Sequence, residues 1–218
     1  MLGPVLETLI GGLLTGVLYS LVALGFVLIF KASGVFNFAQ GAMVLFAALT
    51  FARLSEMMPF LAAFALSVLV MIALAYAIEF LVLRRLVNQE GIILFMATLG
   101  IAYFLEGFGQ IVWGSDVYKI NLGMPKEPIF ILESVFPGGL LLDPSELIAA
   151  VICAAMVVVL AVFFQVTRVG RALRAVADDH QAAQSVGIPL SHIWVMVWAV
   201  AGIVALVAGM MWGAKLGV

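Results

Sequence analysis

Two side-chain amides, Asn37 and Gln40, stand three residues apart between Gly34 and Gly41, in a chain otherwise poor in polar groups. That spacing puts both on one face of a helix, at the start of a short apolar run with glycine on either flank. Amides so placed suit a discontinuous membrane helix whose N-terminal dipole faces a carboxylate ligand. The same residue types also serve as plain polar contacts between neighbouring helices, which is the first reading composition alone gives.

Two carboxylates fall inside apolar runs, where a charge at a helix centre costs about 2.5–3.5 kcal/mol on insertion scales. Glu79 is about one turn from Arg84 and Arg85, and the spacing predicts that it reaches toward them. Glu106 has Gln110 at i+4 and Gly107 and Gly109 beside it. Glycine neighbours let another backbone approach and satisfy a carboxylate, which makes Glu106 a candidate for a substrate path together with Asn37, Gln40 and Gly41.

The third polar feature is the run from Thr167 to Pro189, TRVGRALRAVADDHQAAQSVGIP. Val169, Leu173, Val176, Ala183 and Val186 recur at three- and four-residue steps, as one face of an amphipathic helix does. Arg174 and Asp178 form an i, i+4 pair in the weaker, basic-first order. A polybasic segment drawn to anionic lipid is one alternative. Three arginines at once balanced by two aspartates, over an alanine-rich stripe, fit a protein groove better. Gly187, with Pro189 two residues on, predicts the end of the helix in a left-handed turn.

Covalent chemistry finds no support. The chain has no GxxxxGK run followed by Ser or Thr, so ATP hydrolysis in this chain is not expected. There is no HExxH, and His180 and His192 lack the carboxylate and cysteine neighbours of a metal site. The single cysteine, Cys153, lies in an apolar run and reads as a small buried hydrophobe. No catalytic residue, metal or cofactor bound by this chain is expected.

The elements that must position these groups are membrane spans. Hydrophobic residues are 66% of the chain and charged residues 10%, against about 25% charged in soluble domains. With about 20 apolar residues needed per crossing, six spans are expected, at 8–30, 35–52, 60–83, 91–113, 146–166 and 190–214. The second is short and is expected to be broken or re-entrant. Glu7 and the length of the first apolar run exclude a cleaved signal peptide, so this segment is expected to stay as a span.

Alternating the spans puts six of the Lys and Arg residues on one side, among them Arg84, Arg85, Arg168, Arg171 and Arg174, and four on the other. The basic side is expected to be cytoplasmic, with the N-terminus outside. The outer segment 114–145 carries Pro125, Pro128, Pro137 and Pro144 and an apolar stretch, Ile129 to Leu132. It reads either as a docking surface for an external protein or as a packed lid. Small residues at four-residue spacing, Gly12, Gly16 and Ser20 in the first span and Ala201, Ala205, Gly209 and Gly213 in the last, predict close helix packing. A net charge of −2 with no basic tract argues against nucleic acid.

Three stretches together resemble the Liv-type permease subunits of ABC importers for branched-chain amino acids. They are GLLTGVLYSLVALGFVLIF with GVFNFAQGAMVLFAA (12–30 and 34–48), ATLGIAYFLEGFGQIVWGS (97–115) and GRALRAVADDHQAAQSVGI (170–188). Asn37-Phe38-Ala39-Gln40-Gly41 is similar to the family's Asn-Phe-Ala-His-Gly element, with Gln40 in place of the histidine and Ala42 in place of a frequent acidic residue. Gln181-Ala182-Ala183, followed by Gly187 after three residues, is similar to the Glu-Ala-Ala-x-x-x-Gly core with which importer permeases dock on their ATPases.

The resemblance implies a coupling loop made of Gly170, Arg171, Arg174, Asp178, Gln181, Ala182, Ala183, Gly187 and Ile188, with Ala183 and Gly187 kept small where they seat on the ATPase. It also implies a sister permease subunit, two cytoplasmic ATP-binding subunits that hydrolyse the ATP, and a periplasmic solute-binding protein. Family members are longer, so a C-terminally truncated copy is expected. The expectation is therefore an all-α polytopic membrane bundle, one transmembrane permease domain over 1–218, in the bacterial inner membrane. Its cargo would be branched-chain amino acids or related small amides or urea. An ion-coupled secondary transporter is the alternative, with Glu106 its only candidate carboxylate, and a non-transporting membrane scaffold is a third.

Overall fold

Long runs of Leu, Val, Ile, Ala and Phe leave a chain in lipid few ways to satisfy its backbone, and hydrogen bonding within each segment as a helix is the general one. The computed structural model describes residues 2–34, 36–86, 89–123, 125, 129–131, 140–178, 180–185, 187 and 189–218. The helices are α1 (Leu2–Ser33), α2 (Gln40–Met57), α3 (Phe60–Leu81), α4 (Gly91–Trp113), α5 (Pro144–Val166), α6 (Arg168–Asp178), α7 (His180–Ser185) and α8 (Leu190–Leu216). A 3₁₀ turn (Leu83–Leu86) extends α3, and a short antiparallel hairpin, β1 (Ile129–Ile131) with β2 (Leu140–Leu142), precedes α5. The fold is the all-helical polytopic bundle that composition demanded, with this hairpin its only sheet among the described residues.

Five helices, α1, α3, α4, α5 and α8, are long and apolar enough to cross a bilayer. Their outward faces carry bare hydrophobic side chains such as Leu13, Tyr103, Ile111 and Val158, as contact with lipid requires. The sixth expected span is different in kind. It was placed at 35–52, but α2 starts at Gln40 and runs to Met57, five residues later at each end. Residues 36–39 are not helical, and at the far end the helix carries an Arg53–Glu56 ion pair of 2.7 Å. At 18 residues, α2 is about 27 Å long, a little short of a hydrocarbon core. Eleven of its residues are buried, so it is an interior helix rather than one that faces lipid.

The centre of the bundle is α8, which packs against α1, α2 and α3 and has 72% of its apolar window buried. Its small-residue stripe allows this. A Cβ at Gly209 would lie 2.6 Å from the Val44 carbonyl oxygen and 2.9 Å from the Ala48 Cβ on α2, so only a glycine lets the two helices come this close. The corresponding stripe on α1 packs on nothing among the described residues. Gly12, Gly16 and Ser20 are exposed, with nothing within 4 Å of a Cβ at either glycine.

At the end of the bundle where α5 starts and α8 finishes, Lys215 pairs with Glu146. The backbones of Tyr118 and Val218 exchange two hydrogen bonds of 2.7 and 2.8 Å. The amide of Leu141 donates to the Glu7 carboxylate at 2.8 Å, tying the hairpin to α1. Ile129 and Phe130 are nonetheless 48% and 50% exposed, so this part of the outer segment does not lie as a packed lid. Leu132 and the rest of 132–139 lie outside the described residues.

Candidate functional site

The polar cluster begins where α1 ends. Gly34 closes the helix with φ +67°, and its amide reaches the Phe30 carbonyl at 2.8 Å, a left-handed C-terminal turn that glycine makes without strain. Residues 37–40 form a turn, with the Gln40 amide donating to the Asn37 carbonyl at 3.1 Å and Ala39 already in the right-handed helical region; Phe36 and Phe38 are exposed, Asn37 and Ala39 buried. Asn37 and Gln40 are both wholly buried. The Asn37 Oδ1 accepts from the Ala39 amide at 3.1 Å, and its Nδ2 donates to the Gln40 Oε1 at 3.3 Å.

Two residues that sequence reasoning missed complete the cluster. Thr98 of α4, fully buried, accepts from the Phe38 amide at 3.3 Å, and its hydroxyl lies within reach of the Phe95 and Phe36 carbonyls at 2.9 and 3.2 Å. It therefore fastens the non-helical segment to α4. Gly25 of α1 makes room for the Gln40 amide: a Cβ there would fall on Nε2, with Oε1 at 3.0 Å. The available signal was a lone hydroxyl and a lone glycine in otherwise bulky apolar spans. The Gln40 Nε2 itself has no hydrogen-bond partner among the described residues, an arrangement that costs about 1–3 kcal/mol for a buried donor.

Depth follows from helix rise. Gly25 is six residues before Lys31, about 9 Å into the bilayer from that charge, and Thr98 is seven residues into α4. The break therefore lies at membrane depth. Gly41, in the first turn of α2, is exposed with nothing near its missing Cβ. Glu106 is not brought to this cluster: it is exposed on α4, two turns beyond Thr98. Gly109 packs on Phe46 and Leu49 of α2, while Gly107 is open. Glu79 behaves as its spacing predicts. Its carboxylate is buried and accepts from the half-exposed Arg84 at 3.3 Å.

The charged run is helical on both sides of residue 179, which lies outside the described residues, as α6 and α7. Gly170, Leu173 and Val176 of α6 and Ala183 of α7 are buried against the bundle. The apolar face that was expected to meet a partner is thus seated on the chain's own helices, because membrane-end carbonyls and apolar side chains there need cover. Ala183, 2% exposed, must stay small for this internal packing. Gly170 must stay a glycine, since a Cβ would meet the Phe164 carbonyl oxygen and lie 2.6 Å from its Cα.

The arginines also turn inward. Arg171 Nη1 donates to the Val166 carbonyl at 3.1 Å and Arg174 Nη1 to that of Phe164, capping the last carbonyls of α5. No Arg174–Asp178 ion pair forms among the described residues; the free carbonyls of α5 are the nearer acceptors. Outward lie Arg168, Asp178, Ala182 and Gly187, together with the exposed parts of Arg171 and Arg174. Gly187 ends the element at φ +84°, as its spacing from Pro189 predicts. The Gln181 side chain and Ile188 lie outside the described residues.

Membrane-length helices packed round a small-residue centre, with a charged helical element across one end, define a multi-pass membrane protein. The chain belongs to the family described as branched-chain amino acid transport system / permease component, which it matches over residues 8–218. It is 27% identical over 223 residues to the high-affinity branched-chain amino acid transport system permease protein BraD of Pseudomonas aeruginosa, covering 98% of this chain and 72% of that protein. It is 26% identical to the permease protein LivH of Salmonella typhimurium and 25% to that of Escherichia coli K12, each with the same coverage. No solved structure matches the chain.

Proposed function

We propose that this chain is the membrane-spanning permease subunit of an ATP-driven importer for branched-chain amino acids or closely related small amides or urea. The reading places it in the bacterial inner membrane with the N-terminus outside and α6–α7 in the cytoplasm. It works beside a sister permease, two cytoplasmic ATP-binding subunits and a periplasmic solute-binding protein. ATP is hydrolysed by the partners, and this chain binds no cofactor and makes no covalent bond.

One observation carries the proposal. Residues 36–39 are non-helical backbone at membrane depth, with Phe36 57% and Phe38 45% exposed. Irregular backbone cannot face lipid, and is tolerated only against protein or along a water-filled cavity. The backbone here is held by Asn37 and Thr98, and on this reading its open side, with exposed Gly41 at the start of α2, faces a translocation route formed with a second subunit. Asn37 and Gln40 supply the amides behind it. The route then has a lever: α6 is seated on α1, α5 and α8 and carries α7, so force applied to the outward face of the pair passes into the helices that flank the break.

Uptake assays in proteoliposomes holding the full assembly test the reading. Asn37→Leu should abolish most uptake while the ATP-binding subunits still co-purify; normal uptake would return the cluster to a packing role. An ion-coupled carrier has less support, since it needs a carboxylate at the break and Glu106 is about 12 Å further along α4. Uptake that follows an ion gradient and ignores ATP would favour it.

A further inference from the structure

Between the ends of α1 and α5 an open cavity of about 420 Å³ runs down to α6. Its walls are apolar, with Leu24 and Leu28 from α1 and Val157 and Leu160 from α5. Among the described residues, the only charged ones that line it are two cations, Lys31 and Arg174. Lys31 is exposed and makes no ion pair among the described residues. Arg174 donates to the Phe164 carbonyl, which leaves most of a guanidinium's five donors for another acceptor.

The depths of these groups differ in a telling way. Lys31 is two residues from the end of α1, and Arg174 lies on the helix that follows the end of α5, so both charges stand at headgroup level. Leu24 is seven residues before Lys31, about 10 Å deeper, among acyl chains. The cavity is therefore cationic at its mouth and greasy below.

We infer that this groove holds an anionic phospholipid of the leaflet on the α6 side, its phosphate between Lys31 and Arg174 and an acyl chain along Leu24, Leu28, Val157 and Leu160. A free phosphate would leave the apolar wall uncovered, and a zwitterionic headgroup would bring its own cation toward two others. Basic pockets between membrane helices attract anionic headgroups, each Lys or Arg strengthening binding about fivefold. A lipid seated there touches α1, α5 and α6 together, and so fastens the outer coupling element to the bundle. The inference needs only that the chain spans a bilayer, so it stands or falls apart from the importer reading.

Native mass spectrometry of the purified full chain in neutral detergent, titrated with phosphatidylglycerol or with phosphatidylcholine of the same acyl chains, tests it. Phosphatidylglycerol should be retained preferentially, and Lys31→Gln should weaken its retention about fivefold. Arg85→Gln, an exposed cation outside the groove, should leave retention unchanged. Val157→Trp, which fills the groove and touches neither charge, should remove the preference. Equal retention of the two lipids, equal loss in Lys31→Gln and Arg85→Gln, or full retention in Val157→Trp would each overturn the assignment. So would a photo-crosslinking residue at Val157 that, in the assembled transporter, captures a protein subunit in place of lipid.

Discussion

The two halves of the Gln40 amide have different fates: Oε1 accepts from Asn37, while Nε2 presses against Gly25 with no partner. The fit to α1 is steric, and it yields a prediction at single-residue scale. Gly25→Ala should cost about 1–3 kcal/mol through overpacking, read as a lower midpoint in thermal unfolding of the purified protein. Because the clash is with a side-chain end, the double variant Gly25→Ala/Gln40→Ala should recover most of that loss; no recovery would mean that α1 and α2 are held apart by something other than Gln40. Gly170→Ala should be worse than Gly25→Ala, about 3 kcal/mol, because its Cβ meets the backbone of Phe164, which cannot rotate away. A Gly170→Ala protein as stable as the parent would show that α6 does not fold back on α5 this tightly.

At the scale of elements, α6 and α7 have an inner face that holds them to the rest of the chain and an exposed face that the proposed function assigns to the ATP-binding subunit. The two adjacent alanines separate these roles. Ala183→Trp should destabilise the chain itself and lower its recovery from membranes, since Ala183 is buried. Ala182→Trp, on the exposed side, should leave folding intact and weaken recovery of the ATP-binding subunit by roughly fivefold to a hundredfold. Equal co-purification with wild type for Ala182→Trp would remove this face as the docking surface.

Sequence periodicity found the apolar stripe Leu173, Val176, Ala183 and the stop at Gly187, because both are local. It gave no hint of what the stripe covers, since an amphipathic helix looks the same whether its apolar side meets a partner or its own bundle. The Glu79–Arg84 pair was legible for the same local reason. Thr98 was not, because its partners are some 60 residues away, at Phe36 and Phe38, and non-local contacts leave no period in one chain. The shift of α2 to Gln40–Met57 was hidden because hydropathy marks where a segment is greasy, not where a turn gives way to helix.

For the whole molecule, orientation is the first thing to check. In a Cys153→Ala background, Asp116→Cys should react with an impermeant thiol reagent in intact cells and Ser185→Cys only after the membrane is opened, both positions being exposed; the reverse pattern would invert the topology. The position of α8 has a further consequence, in time rather than space. It follows α1, α2 and α3 by a long stretch of sequence and is the helix on which they close. From the end of α1 at Ser33 to the end of α8 at Leu216, synthesis at about 5–20 residues per second takes roughly 10–40 s. Through that interval the earlier helices sit in the membrane with their small-residue and amide faces unmatched, open to wrong neighbours and to membrane proteases. Assembly of these four helices is thus gated by the ribosome's arrival at α8, and a slow stretch of translation before Leu190 should raise turnover of the nascent protein without altering a single contact in the finished one.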